Sequence, residues 1–135
     1  MRGGRLPRTY IAAMNELIAD ALPEHKAKAE QFIAKLTQTL MGLVKTVMAD
    51  PEEAGAASTP LLRMFALTSL AVMWARMAKQ ATDEGTKSRY SADYLSGKLK
   101  AAEHFYRLYL PEMDALAADI EAGKASLMDF AEAEF

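Results

Sequence analysis

The chain has 135 residues and a mass of 14.8 kDa, a size that favours one domain with a hydrophobic core of its own. It contains no cysteine, which excludes a disulfide scaffold, a thiolate metal site, a cysteine nucleophile and an iron–sulfur cluster. Hydrophobic residues make up 51% of the chain, charged residues 25%, and the formal net charge is −2. This composition indicates a folded domain with no global preference for nucleic acid or an anionic membrane.

The N-terminal segment is basic, with Arg2, Arg5 and Arg8 around a glycine pair. We expect residues 1–8 to form a disordered or linker segment. No apolar stretch follows these charges, so the pattern does not predict a signal peptide, and we expect a cytoplasmic protein.

Apolar spacing predicts the first two helices. The first covers about 9–21, with Thr9 as a candidate cap. The second begins at Pro23, which costs nothing in a first helical turn, and ends at Asp50-Pro51. Residues 51–59 are interpreted as a loop because they are rich in Pro, Gly, Ala, Glu and Ser. The apolar stripe of the second helix is regularly spaced: Phe32, Leu36, Leu40, Leu43 and Val47.

The third helix is predicted to start at a Ser58 or Thr59 cap and to run to Ala81, with Gly85 as the left-handed residue that closes it. The fourth covers about 88–110. Pro111 is predicted to stop it and to start a fifth helix over 111–122, which Gly123 ends.

The stretch 61–78 is the most apolar part of the chain, yet it contains Arg63 and Arg76. We therefore interpret it as the buried central helix of a bundle and not as a membrane span. No run alternates as a strand would, so the sequence predicts an all-α fold, an up-down antiparallel helical bundle of three long helices plus shorter terminal helices. Residues 9–127 form the single helical-bundle domain in this prediction, and 128–135 form a tail.

The two histidines, His25 and His104, have no second histidine or carboxylate four residues away on the same helix face. The sequence has no nucleophile elbow and no glycine-rich phosphate loop. We expect no catalytic, cofactor-binding or metal-binding residue. His25 is interpreted as solvated, and His104 as lying between the core and surface faces.

Large apolar side chains on the third helix suit either a core or a partner surface: Phe65, Leu67, Leu70, Trp74 and Met77. A helix that is apolar on all sides must be covered on all sides, which makes a partner surface a serious alternative to an internal core. The weaker polar candidates are Arg63, Arg76, Glu103 and His104, of which the two arginines equally suit ion pairs at the core edge.

One stretch runs Thr59-Pro60-Leu61-Leu62-Arg63-Met64-Phe65-Ala66-Leu67 and continues to Val72-Met73-Trp74-Ala75-Arg76-Met77-Ala78. A second, Tyr94-Leu95-Ser96-Gly97-Lys98-Leu99, is followed by Ala102, Phe105-Tyr106 and Leu110-Pro111. Together they resemble the helical C-terminal extension of a subset of bacterial acyl-CoA dehydrogenases, the group that includes 3-methylmercaptopropionyl-CoA dehydrogenases. The resemblance covers about 21–127. It departs from the family's Tyr-Leu-Arg opening, because Leu61 replaces the tyrosine.

The resemblance implies a non-catalytic domain of an FAD-dependent oxidoreductase of fatty acid metabolism. FAD and acyl-CoA are held by upstream domains of such an enzyme, so no cofactor is expected in this chain. The implied partners are the parent dehydrogenase core or a second copy of the chain in a homo-oligomer, with no nucleic acid and no membrane span.

The family's catalytic base often lies in Tyr-Glu-Gly-Thr, and this chain contains Asp83-Glu84-Gly85-Thr86. We interpret Glu84 as part of a helix-ending loop, because Asp83 occupies the tyrosine position and a charged loop lacks the burial that a working base needs. Two other hypotheses stay open. One is a stand-alone α-helical dimerisation or interaction module, and the other is a small enzyme or ligand-binding bundle, which would need a convergent polar pocket.

Overall fold

The structure is a computed structural model that describes residues 5–134, and each regular element in this range is a helix. The three longest helices have 27, 29 and 31 residues. The predicted all-α fold is thereby confirmed, with three long helices and shorter terminal ones. In chain order the elements are α1 (Arg5–Leu17), α2 (Pro23–Ala49), α3 (Glu53–Ala81), α4 (Glu84–Lys87), α5 (Ala92–Ala122), α6 (Ala125–Met128) and a 3₁₀ helix (Glu132–Glu134).

Helices α3 and α5 are antiparallel. The Tyr106 hydroxyl donates to the Ala71 carbonyl at 3.1 Å. Arg63, which lies nearer the start of α3, pairs with Glu112, which lies nearer the end of α5. Residue numbers on α5 therefore rise as those on α3 fall. A connection of only three residues between α2 and α3 makes those two helices antiparallel as well.

Helix α1 lies parallel to α3. The Tyr10 hydroxyl donates to the Phe65 carbonyl at 3.0 Å and shares a 2.6 Å hydrogen bond with the Ser69 hydroxyl. Further along both helices, Arg76 donates to the Leu17 carbonyl at 3.0 Å. The order α1, α2, α3, α5 is thus up, down, up, down.

Two apolar clusters fill the bundle. The main core lies between α2, α3 and α5, and its large buried side chains include Phe32, Leu36, Met64, Tyr106 and Met113. A second cluster joins α1 to α2 and α3, and it contains Ile18, Ala29, Ile33, Val72 and Ala75. Helix α3 contributes to both clusters, and several of its buried residues are alanines, which let neighbouring helices approach closely.

Helix α3 is long and apolar enough to cross a membrane. Its most apolar 18-residue stretch has a mean hydropathy of 1.3, and 33% of that stretch is buried inside the structure. The core helix of a soluble bundle passes the same test of length and composition. Because α3 packs against α1, α2 and α5, we interpret it as the central helix of this bundle.

Two helices start earlier than predicted. Helix α1 begins at Arg5 and not at Thr9, so residues 5–8 are helical, while residues 1–4 of the expected linker lie outside the described residues. Helix α3 begins at Glu53, so the loop predicted over 51–59 is wrong for most of its length. Alanine-rich turns favour a helix there, and Ala57 is buried in the core, so packing outweighs the local Pro and Gly signals.

The predicted tail over 128–135 contains the 3₁₀ helix, and its last residue lies outside the described part of the chain.

The predicted break at Pro111 is wrong, because α5 continues through this residue. A proline inside a helix cannot donate to the carbonyl four residues earlier, which belongs to Arg107. Both residues are exposed, so water can bond to that carbonyl. The buried stripe continues on the opposite side through Met113 and Ile120 and holds the second half of the helix in place.

Gly123 ends α5 as predicted, with a left-handed φ of 71°. Directly after it, the Lys124 backbone N–H donates to Glu53 Oε2 at 2.9 Å, which connects the end of α5 to the start of α3.

Gly85 does not close α3, contrary to the prediction from the sequence. Thr82 follows α3 with right-handed backbone angles, and Gly85 lies within α4.

Replacing Gly123 by alanine tests this connection. We expect Gly123→Ala to lower the free energy of unfolding by about 1 kcal/mol or more, because alanine is strained at positive φ. The added Cβ would also lie 3.1 Å from Glu53 Oε2. The measurement is urea denaturation followed by circular dichroism.

The matched control for this variant is Gly97→Ala, inside α5, where an added Cβ meets nothing within 4 Å. This change should leave stability unchanged or raise it, because alanine is the better helix former. Equal effects of the two substitutions would contradict the assigned role of Gly123.

Candidate functional site

A row of apolar side chains on α3 faces solvent. It consists of Leu62, Ala66, Leu70, Met73 and Met77, and we call it the α3 seam. Its spacing of four, four, three and four residues places the row within an arc of about 80° of the helix surface. Leu62 is 71% exposed and Leu70 is 48% exposed. Single exposed apolar residues are ordinary on a protein surface, whereas a continuous row on one helix face is a distinct feature, which makes the seam the candidate site.

The five predicted interface or core residues divide between the interior and the surface. Leu67 is fully buried in the main core, and Phe65 and Trp74 are half-buried at its edge. Leu70 and Met77 are exposed and belong to the α3 seam. One helix therefore supplies both the centre of the bundle and an apolar face outside it.

The two arginines of α3 flank the seam, one on each side, but they bind different groups. Arg63 Nε donates to Glu112 Oε1 at 2.7 Å, and this carboxylate raises the pKa of the Arg63 guanidinium above its ordinary value. Arg76 Nη1 donates to the backbone carbonyl of Leu17 at 3.0 Å. Arg63 thus forms the ion pair that was one of the two alternatives, whereas Arg76 bonds to a carbonyl and its charge contributes to lowering the pKa of Asp20.

Glu103 and His104 lie in a cleft of about 610 Å³ between the N-terminal end of α2 and the face of α5. We call it the α2–α5 cleft. Arg63 and Arg76 do not line it, so the structure brings together only two of the four predicted polar candidates. The residues that line the cleft are Leu22, Glu24, His25, Leu99, Lys100, Glu103, His104 and Arg107.

His25 also lines this cleft, and its predicted solvation is wrong, because the residue is only 7% exposed. Spacing could have revealed this: His25 continues the buried stripe of α2 that runs through Ala29, Phe32 and Leu36. His104, in contrast, is exposed. Among residues 5–134, no group of three or more His, Asp or Glu side chains is arranged to hold a metal ion.

Glu84 is a surface residue at the start of α4. It is exposed in the short helix α4, and Lys87 donates to its Oε1 at 2.7 Å. This position agrees with the interpretation of 83–86 as part of a connection between long helices.

Tyr106 lies beneath the cleft, with its ring centroid 6.0 Å from that of His25. Its hydroxyl donates to the Ala71 carbonyl, which joins α5 to the middle of α3. Burial, together with the nearby Glu103 carboxylate, raises the pKa of Tyr106 well above its ordinary value of 10.0. The residue therefore stabilises the fold only while it carries its proton.

Tyr106→Phe should lower the free energy of unfolding by about 1 kcal/mol at pH 7, because the hydrogen bond to Ala71 is lost. The folded-state pKa lies above the unfolded value, so the stabilisation by Tyr106 is complete below pH 10.0 and falls as the pH rises beyond it. The difference in stability between the native protein and the variant should therefore shrink above pH 10. Urea denaturation from pH 7 to pH 11 measures it.

Tyr94→Phe is the control for this series, because Tyr94 is about half exposed on the same helix. We expect its stability curve to follow that of the native protein at every pH. A constant difference between the native protein and Tyr106→Phe over the whole range would contradict the assignment.

A family model described as acetyl-CoA dehydrogenase C-terminal like matches residues 10–131 of the chain. The matched range includes the α3 seam, the α2–α5 cleft and all three long helices. The comparison with curated proteins gives no significant match, and the comparison with solved structures gives none either.

Proposed function

Because the chain belongs to the acetyl-CoA dehydrogenase C-terminal-like family, we propose that it acts as the non-catalytic helical C-terminal domain of an FAD-dependent acyl-CoA dehydrogenase. In this role it packs on the dehydrogenase core and supports assembly of the enzyme. The proposed parent is a bacterial, cytoplasmic enzyme of fatty acid metabolism, in the 3-methylmercaptopropionyl-CoA dehydrogenase-like group. The observation that carries the proposal is the α3 seam, an apolar face of the central helix that no described residue covers.

The flavin of the parent enzyme belongs to its other domains in this proposal. The α2–α5 cleft is lined by charged side chains, two histidines and two leucines, and no Phe, Tyr or Trp among the described residues lines it to stack on an isoalloxazine. The sequence also lacks the glycine-rich loop that commonly holds a dinucleotide phosphate. These residues do not fit FAD, which supports our proposal that the flavin is held by other domains of the parent enzyme.

The charges beside the α3 seam favour the dehydrogenase core over a second copy of the chain. Arg63 and Arg76 lie near opposite ends of the seam, and α3 contains no carboxylate after Glu53. Two seams paired with each other would place arginines but no α3 carboxylate beside the contact, so a second copy gains no charge complementarity from this helix. A partner with a carboxylate at the rim of its apolar patch would complement Arg76, which donates here to the Leu17 carbonyl.

A charge placed in the seam tests the proposal. Leu70→Glu in the native enzyme should weaken assembly by about 100-fold or more, because an unpaired carboxylate would be buried at the interface. The fold itself should persist, since Leu70 is about half exposed in this domain. The readouts are the mass of the assembly by light scattering over a range of concentrations and the helicity by circular dichroism.

Leu108→Glu is the matched control, because Leu108 is similarly exposed but lies on α5, outside the seam. It should leave the assembly intact. A photo-reactive phenylalanine at position 70 then identifies the occupant, and we expect crosslinks to peptides of the dehydrogenase core. Crosslinks between two copies of α3 would contradict that choice and support the stand-alone dimerisation module.

A further inference from the structure

The α3 seam lies between two helices that pack on either side of it. On one side α1 packs on α3, where the Tyr10 hydroxyl donates to the Phe65 carbonyl at 3.0 Å. On the other side α5 packs on α3, where the ring centroids of Trp74 and Phe105 are 6.4 Å apart. At about 100° per residue, Phe65 and Trp74 lie on opposite sides of the seam. The seam is therefore the floor of a groove that α1 and α5 border along its length.

The dimensions of this groove match a short helix. Leu62 and Met77 are 15 positions apart in the sequence, which is about 22 Å or four turns along α3. The exposed fraction falls from 71% at Leu62 to 40% at Met77, so the groove is deeper toward the end of α3. Ala66 is the smallest side chain of the seam and lies between Leu62 and Leu70. A small residue at this position lets the axis of a second helix approach α3 closely.

Other common ways of binding a protein segment do not fit the groove. Strand addition needs a free sheet edge, and each regular element in residues 5–134 is a helix. A proline-rich segment needs a groove lined by aromatic rings, whereas the seam consists of leucine, alanine and methionine. A phosphorylated segment needs a cluster of arginines, and the two arginines beside the seam lie near its opposite ends. An apolar groove on a helix suits the apolar face of an amphipathic helix.

One charge at the rim of the groove adds a requirement for the occupant. Arg76 is exposed, and its guanidinium donates to a backbone carbonyl. Asp20, whose pKa is lowered in part by Arg76, is paired with Lys79. Arg63, near the other end of the seam, is paired with Glu112. A complementary carboxylate is therefore most useful opposite Arg76.

We propose that one amphipathic helix of the dehydrogenase core lies in this groove as a fourth neighbour of α3. The inference rests on the proposed function and names the part of the partner that the seam binds. The bound helix has about four turns, with apolar side chains at intervals of three and four residues. It packs most closely on α3 at Ala66, and it carries a carboxylate that faces Arg76.

Photo-crosslinking of the native enzyme at each seam position tests this inference. A photo-reactive phenylalanine is placed singly at positions 62, 66, 70, 73 and 77, and the crosslinked residues are identified by mass spectrometry. We expect one segment of the dehydrogenase core to be captured, at residues three or four apart. The captured position should move steadily along that segment as the label moves from 62 to 77.

Two kinds of contrary result separate this inference from the proposed function. Crosslinks to the core that fall in several segments, or at every second residue of one segment, would overturn the bound helix and leave the packing role in place. Crosslinks only to a second copy of the chain, or none at all, would contradict the helix and the packing role together.

A larger side chain at the centre of the seam tests the close approach. Ala66→Leu should weaken assembly of the native enzyme by about tenfold, because the added side chain separates the two helix axes. The fold should persist, since Ala66 is exposed and leucine is also a good helix former. Ala118→Leu is the matched control, because Ala118 is an exposed alanine on α5 outside the seam, and it should assemble normally. Native assembly in Ala66→Leu, or an equal loss in the control, would overturn the proposal.

Discussion

The close approach of α1, α2 and α5 to α3 is the constraint on which the rest of the structure depends. Alanines at the buried positions of α3 let the neighbouring helices come near, and larger side chains such as Met64 and Leu67 fill the space between the contacts. Three neighbours cover most of the helix circumference but not all of it. The uncovered part is the α3 seam, so the apolar face arises from the same packing that forms the core.

The seam and the α2–α5 cleft have opposite chemistry and different consequences. The seam is apolar and flanked by arginines, which suits a protein surface with acidic residues at its rim. The cleft is polar and is bordered by the buried His25, whose ring nitrogens have no hydrogen-bond partner among the described residues. Membership of the dehydrogenase C-terminal-like family accounts for the first feature through the proposed packing role.

Much of the fold could be predicted because the apolar stripes are regular. The apolar stripe of α2, which includes Phe32 and Leu36, indicates a helical bundle. Helix α3 has apolar residues on all of its sides, which indicates that it lies at the centre of this bundle. The errors occur where local signals conflict with packing. Pro111 resembles a helix stop, but its missing hydrogen bond lies on an exposed face and costs little against the buried stripe that continues past it.

The candidate site was less predictable for a different reason. The burial of His25 follows from its place in the α2 stripe, so a stricter use of spacing would have found it. The division of α3 between core and seam does not follow from spacing, because apolar residues occur on all of its sides. Only the positions of α1, α2 and α5 decide that Leu67 is buried while Leu70 faces solvent.

The size of the native polypeptide that carries this sequence tests the central claim most directly. An antibody raised against the chain, applied to a lysate of the source cells, measures that size without assuming any activity. Our account predicts a band several times larger than 14.8 kDa, and the purified protein should show flavin absorbance. A band near 14.8 kDa without flavin would contradict it and would indicate a free-standing helical protein.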